Sequence, residues 1–307
     1  MRNVKVRDAF FYEIYRQVKK GEDIVIVSAD IGAPSLDRFR KDFPNRFINV
    51  GIAEQNLIAV ASGLQLSGKK VVAYGLNPFP VTRAFDQIRN LMASLQIPIT
   101  LTALNAGTCS ADAGYTHMPI ENIAMLRSLK NISIINPSDE TMVKKLVQEI
   151  IQDPKPRYVQ FDKSIEGKLY EENDICYKAG LITNKKSSEI VVAATGIMAH
   201  SLMEKEMPVK VIDCFSIPVS SDLFIKEVCG CKQIITVEDG MVTGGIGSMV
   251  LEILNDFQMN IPVKRLGLNF RKGYPDTYTN RELILEEEGL TLEGIRRFVN
   301  GMLEEKI

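Results

Sequence analysis

Short, mostly apolar runs without regular polar alternation recur along this chain, separated by segments whose apolar residues repeat at helical spacing. IVIVS (24–28), RFINV (46–50), KVVAY (70–74), ITLTAL (99–104), ISIIN (132–136) and RYVQF (157–161) read as strands. A first helix is marked by Val6, Phe10, Ile14 and Val18, and others fit at about 54–67, 80–95, 119–129 and 138–151. Ser138 is the expected N-cap of the last of these. Strands without polar alternation need cover on both faces, and parallel strands need helical crossovers, so the pattern predicts a doubly covered parallel sheet.

The stretch SIEGKLYEENDICYKAG (164–180) is polar and reads as an interdomain linker. A second alternating series follows. EIVVAAT (189–195), VKVIDC (209–214), KQIITVED (232–239) and VKRLGL (263–268) are strands, with helices at about 197–206, 220–228, 243–257, 279–288 and 291–303. The chain has 307 residues, enough for two domains. The expected fold class is α/β: two domains, over 1–165 and 175–307, each a mostly parallel sheet flanked by helices.

Bulk properties exclude several functions. A formal net charge of −1 argues against a broad basic surface for nucleic acid. No apolar run is long enough to span a bilayer, and the amphipathic N-terminus lacks a signal-peptide core. The five cysteines form no CxxC pair and only two histidines are present, so no zinc site is expected. Scattered cysteines fit a reducing cytoplasm.

Candidate chemistry gathers in segments that follow predicted strands. In FINVGIAEQNLIAVASGL (47–64), Glu54 falls in a first helical turn at a strand's carboxyl end, the side of an open α/β sheet that faces the ligand crevice. Flanked by Ile52, Ala53, Leu57 and Ile58, it is expected to be partly desolvated, raising its pKa toward a proton-sharing role; complementing the helix dipole is the plain alternative. SADIGAPSL (28–36) is a loop with Asp30 and Ser35, where an Asp also serves simply to form a turn. In YGLNPFPVTRAFDQIRN (74–90), Pro78 and Pro80 stiffen the backbone around Phe79, which either stacks on a flat heterocycle or fills the core. In NAGTCSADAGYTHMPIEN (105–122), His117 precedes Pro119, a favoured first helical position, and is an acid/base or hydrogen-bond candidate. The glycines at 244, 245 and 247 lack the spacing of a phosphate loop, and close packing or a turn explains them better.

Taken together, the SAD loop, GIAEQN, RAFDQIRN, GYTHMPIEN and INPSDE, in this order, resemble the C-terminal half of transketolase-type enzymes, with GIAEQ shared by deoxyxylulose-phosphate synthases. The resemblance covers essentially the whole chain: a pyrimidine-binding domain followed by the smaller C-terminal domain. It implies a thiamine diphosphate-dependent enzyme that transfers a two-carbon ketol unit between sugars in cytoplasmic carbohydrate metabolism. The acid at the Glu54 position would hydrogen-bond the aminopyrimidine N1′ and so favour the tautomer that deprotonates the thiazolium. Phe79 would stack on that ring, with Ile52 and Asp30 also at the cofactor. His117 would hydrogen-bond the substrate near its carbonyl-derived oxygen, and Ser35, Asn105 and Asp112 would serve the sugar.

Departures from the family pattern accompany the match. The acid that normally precedes the family's GPTH segment is Ala113 here, leaving Asp112 as a substitute one residue away. Phe161 and Asp162 stand where a phosphate-reading arginine is usual, with Lys163 the nearest cation. No GDG motif exists to hold Mg²⁺, so no metal ligand is assigned to this chain. The resemblance therefore implies an N-terminal partner subunit carrying GDG and its later Asn, in an α2β2 heterotetramer, and no turnover by this chain alone. The E1 β subunit of a 2-oxoacid dehydrogenase and a half of a deoxyxylulose-phosphate synthase are the rival readings.

Overall fold

In the computed structural model, which describes residues 4–304 except 272, 276 and 277, the chain forms two sheets. The first contains β1 (Ile24–Ser28), β2 (Phe47–Asn49), β3 (Lys70–Leu76), β4 (Thr100–Leu104), β5 (Ser133–Ile135) and β6 (Arg157–Phe161). The second contains β7 (Ile182–Thr183), β8 (Ile190–Ala194), β9 (Lys210–Asp213), β11 (Gln233–Met241) and β12 (Val263–Leu268). A short strand between them in sequence, β10 (Ser216–Ile217), leaves the second half and pairs antiparallel with β5. The first sheet is thus seven-stranded, in the order β10-β5-β6-β4-β3-β1-β2, and parallel except for β10. The second runs β12-β11-β8-β9-β7 and is parallel except at the β7 edge.

Side-chain alternation explains the layering. Ile24, Ile26, Val72 and Tyr74 enter one apolar cluster, while Val25, Val27, Val71 and Ala73 enter another. The first cluster is closed by α1 (Val6–Lys19), α2 (Pro34–Asp42) and, beyond β5, α7 (Glu140–Gln152). The second is closed by α3 (Glu54–Leu66) and by residues of the second half, including Ile212, Ile217, Phe224 and Ile246. One apolar cluster therefore spans both sheets. The segment 164–180, expected as a linker, is pinned by buried Ile165, Ile175 and Tyr177.

Several local expectations shift. The segment 28–36, read as a loop, already contains the start of α2, with Pro34 in its first turn and Leu36 and Phe39 inward. The helix expected over 80–95 is three pieces: α4 (Phe79–Thr82), α5 (Phe85–Gln87) and a π-helical turn over Ile88–Ser94. Ala84 leaves helical geometry between the first two. The helix before β5, α6, covers Asn122–Arg127. Ser138 is not the cap of α7; Asp139 is, accepting the Met142 N–H at 2.9 Å. A carboxylate one residue nearer the helix reaches its free amides, and the Ser138 hydroxyl donates instead to Asp213. Around the second sheet lie α8 (Gly196–Glu204), α9 (Ser221–Val228), α10 (Ile246–Asp256), α11 (Arg281–Glu287) and α12 (Leu292–Glu304). No described helix is long and apolar enough to cross a membrane.

Candidate active site

The carboxyl ends of β1, β2, β3 and β4 deliver the SAD loop, Glu54, Phe79 and the 105–122 loop to one edge of the first sheet. After β2 the chain turns through Gly51, whose φ of +75° suits glycine, and Glu54 opens α3. Glu54 is 6% exposed. It is not a lone carboxylate in an apolar shell: Arg83 Nη1 donates to Oε1 at 3.1 Å and to Oε2 at 3.2 Å. Leu57 and Ile58 are core, but Ile52 is 74% exposed and turned outward. The Arg83 guanidinium also lies 4.1 Å from the centroid of the Phe79 ring. Phe79 in turn meets the His117 ring edge-on, with centroids 5.2 Å apart. Glu54, Arg83, Phe79 and His117 thus form one continuous line. His117 Nδ1 is 3.0 Å from the Thr116 hydroxyl.

Other predicted residues are placed differently. Asp30 is exposed in the left-handed region (φ 56°), and Asn49 donates to its carboxylate at 2.9 Å while accepting its backbone N–H. Ser35 is buried, its hydroxyl donating to Asp8 at 2.8 Å, which ties α2 to α1 rather than facing the line of four. Asn105 is buried with a φ of 78°; its side-chain oxygen accepts from Cys109 and its carbonyl from Asn77. Asp112 is exposed and accepts from Lys163 at 3.4 Å, and Lys163 also reaches the Ser110 hydroxyl at 3.3 Å. Phe161 is core, and Asp162 is buried beneath the loop.

Two features were not read from sequence. Arg83 follows Phe79 by four residues, a helical spacing that could have linked them. The second is a buried charge cluster from distant segments. Arg281 donates to both oxygens of Asp162 and to the Ala106 carbonyl, and lies 3.1 Å from Asp239. Burial works against the Arg281 charge, but the two carboxylates outweigh it and hold the guanidinium protonated. Burial pushes the Asp239 carboxyl up, opposed by Arg281 and by the Thr108 N–H and hydroxyl. A Cβ on Gly107 would fall 2.3 Å from the Asp239 carbonyl oxygen, so only glycine permits this approach. The second half therefore clamps the loop that carries His117.

The glycine loop of the second half holds a side chain. Glu238 accepts from the N–H groups of Ile246 and Gly247 at 2.9 and 3.1 Å, capping α10 from within. Burial pushes its carboxyl up to about 7 against the pull of those two amides. Among the described residues, no group of three or more His, Cys, Asp or Glu is arranged to hold a metal ion.

The chain is thus a two-sheet α/β protein with an acid, an aromatic ring and a histidine gathered at the carboxyl ends of parallel strands. The family models agree: that for the transketolase pyrimidine binding domain matches residues 2–166 and that for the transketolase C-terminal domain matches 182–295, and the chain belongs to this family. It is the transketolase half made of these two domains, in a family that depends on thiamine diphosphate. One subunit of an apulose-4-phosphate transketolase, from Phocaeicola vulgatus, is 30% identical over 305 residues, 95% of each chain. A 1-deoxy-D-xylulose-5-phosphate synthase from Corynebacterium diphtheriae is 29% identical over 91% of this chain but only 46% of its own length. A solved structure described as a split gene transketolase, inactive beta4 tetramer, superposes with a TM-score of 0.82 at 28% identity, over 97% of this chain and 98% of that one.

Proposed function

We propose that this chain supplies the pyrimidine-side acid of a two-chain, thiamine diphosphate-dependent transketolase. Its partner is an N-terminal subunit whose GDG…Asn motif holds Mg²⁺ and the diphosphate, in an α2β2 assembly of the cytoplasm. The observation that carries the reading is the alignment of buried Glu54 with the Phe79 ring and His117 at one strand edge. An acid beside an aromatic face fits an aminopyrimidine, which needs a proton held at N1′ and a ring to stack on. When bound, thiamine diphosphate supplies the nucleophilic carbon and the electron sink.

The chain's own residues then have distinct tasks. Glu54 holds the proton at N1′, and Phe79 fixes the plane of the ring. His117, at the far end of the line, hydrogen-bonds the sugar oxygen near the reacting carbon. Asn105, buried, shapes the loop from beneath, and Asp112 with Lys163 forms the polar rim where a sugar hydroxyl or phosphate would bind. Asp30, on the loop after β1, would serve the cofactor. Exposed Ile52, Leu66 and Leu95 offer apolar surface for a partner chain. The relative in P. vulgatus is named for apulose 4-phosphate, and a sugar phosphate is the proposed substrate class here.

The test is to assay this chain alone, and then with its N-terminal partner, in thiamine diphosphate and Mg²⁺. Ketol transfer that requires both chains is expected. Robust transfer by the isolated chain would overturn the split-enzyme reading, and decarboxylation of a 2-oxoacid in its place would overturn the transketolase reading.

A further inference from the structure

Arg83 holds the two features that the cofactor reading assigns to a pyrimidine ring. Its Nη1 bridges both oxygens of Glu54, and its guanidinium lies 4.1 Å from the Phe79 ring centroid. A guanidinium is planar, delocalised and rich in N–H donors, so it satisfies a carboxylate and an aromatic face together. An aminopyrimidine protonated at N1′ offers the same combination of flat π-surface and N–H donation. The two groups are chemical equivalents for this one position.

The hold of Arg83 is also suited to release. One nitrogen serves both oxygens, whereas Arg281 uses two nitrogens on Asp162. The Arg83 side chain is half exposed, against 11% for Arg281. Its backbone carbonyl is fixed by Gln55 Nε2 at 3.1 Å, so leaving requires only side-chain rotation. Glu54, 6% exposed, needs some partner at all times, because a buried carboxylate without one is costly.

We propose that Arg83 is the resident counter-ion of the pyrimidine site, so that the cofactor ring enters by exchange with its guanidinium rather than by insertion into open space. The proposal rests on the cofactor reading above. It makes cofactor affinity a difference between two Glu54 partners, and it lets the isolated chain keep a buried acid without loss of stability.

The experiment measures thiamine diphosphate binding, with Mg²⁺ present, by calorimetry on the assembled two-chain complex. It compares wild type, Arg83→Met and Arg83→Lys. Arg83→Met is expected to bind about two- to five-fold more tightly, the factor that loss of a partly exposed competing pair allows. Arg83→Lys, which keeps the charge but not the flat stack, falls between the two. In the isolated chain, Arg83→Met lowers the melting temperature and adding Glu54→Gln restores it, because the second change removes the stranded charge. Wild-type binding with equal or weaker binding by both variants would overturn the exchange alone. Binding by none of the three would overturn the exchange and the cofactor reading together.

Discussion

Two buried glutamates, one in each half of the chain, sit at helix N-termini and have opposite partners. Glu238 is held by two backbone N–H groups of α10, Glu54 by the side chain of Arg83. Backbone amides cannot leave without unwinding the helix, whereas a half-exposed guanidinium leaves by rotating. Burial and position at a helix start are therefore not enough to mark an acid as functional; the mobility of its partner separates the two. Glu238 is a piece of the fold, and Glu54 is the acid that the proposed function assigns to a ligand.

The widest separation is expected from matched substitutions in the assembled enzyme. Glu54→Gln should cut turnover by at least about 10²-fold with the complex intact, the scale of a lost proton-transfer group. Glu238→Gln should leave turnover within a few-fold and lower stability by about 1–3 kcal/mol, because one α10 amide loses its acceptor. Steady-state kinetics beside denaturant melts would decide, and equal losses of turnover in both variants would break the comparison.

Gly245→Ala tests the structural side alone. The added Cβ would lie 1.8 Å from Glu238 Oε2, so the carboxylate must move. A loss of about 1–3 kcal/mol in unfolding free energy is expected from that overpacking, with cofactor affinity unchanged.

The next effect is pH-dependent. Burial pushes Glu238 and Asp213 up to about 7 from ordinary values of 4.5 and 3.8, Asp213 against hydrogen bonds from Ser138 and Tyr170. Between those ordinary values and 7 the folded state keeps protons that the unfolded state has released. Stability therefore falls as pH rises through this window, and the contribution is fully lost above it. Melting temperatures between pH 5 and 8 should decline, and Asp213→Asn and Glu238→Gln should each flatten the slope. A rise in stability over the same range would contradict the burial of these protons.

The smallest effect is expected at Ser35, where Ala removes the hydroxyl bonded to Asp8. A cost of about 1 kcal/mol in stability with an unchanged sugar KM would assign it to the α1–α2 contact. A raised KM would return it to the substrate loop.

Much of the architecture was legible because it depends on local pattern. The six strands of the first half were read within about a residue or two at each end, since continuous apolar runs bounded by polar turns have one economical fold. What was missed depends on distant partners. β10 is two residues long, and only its pairing with β5 makes it a strand. The break at Ala84 interrupts a segment whose apolar spacing alone suits one helix. In the site, Glu54, Phe79 and His117 are legible as residue types at strand ends, and Glu54 is desolvated as its apolar neighbours suggest, but its pairing with Arg83 is decided by the tertiary structure. Arg83 was in plain view one turn past Phe79, whereas the Arg281–Asp162–Asp239 cluster joins residues too far apart in sequence for any spacing rule to link them.

By itself the sequence determined two α/β halves, the strand ends where chemistry gathers and the family whose motifs occur in order, because apolar periodicity and short motifs are properties of neighbouring residues. Tertiary structure alone decided which charge neutralises which acid, that Ser35 turns inward, and that the second half clamps the histidine loop. Those outcomes are set by burial, which makes each carboxylate find a partner across space, and the primary order of residues does not state that distance.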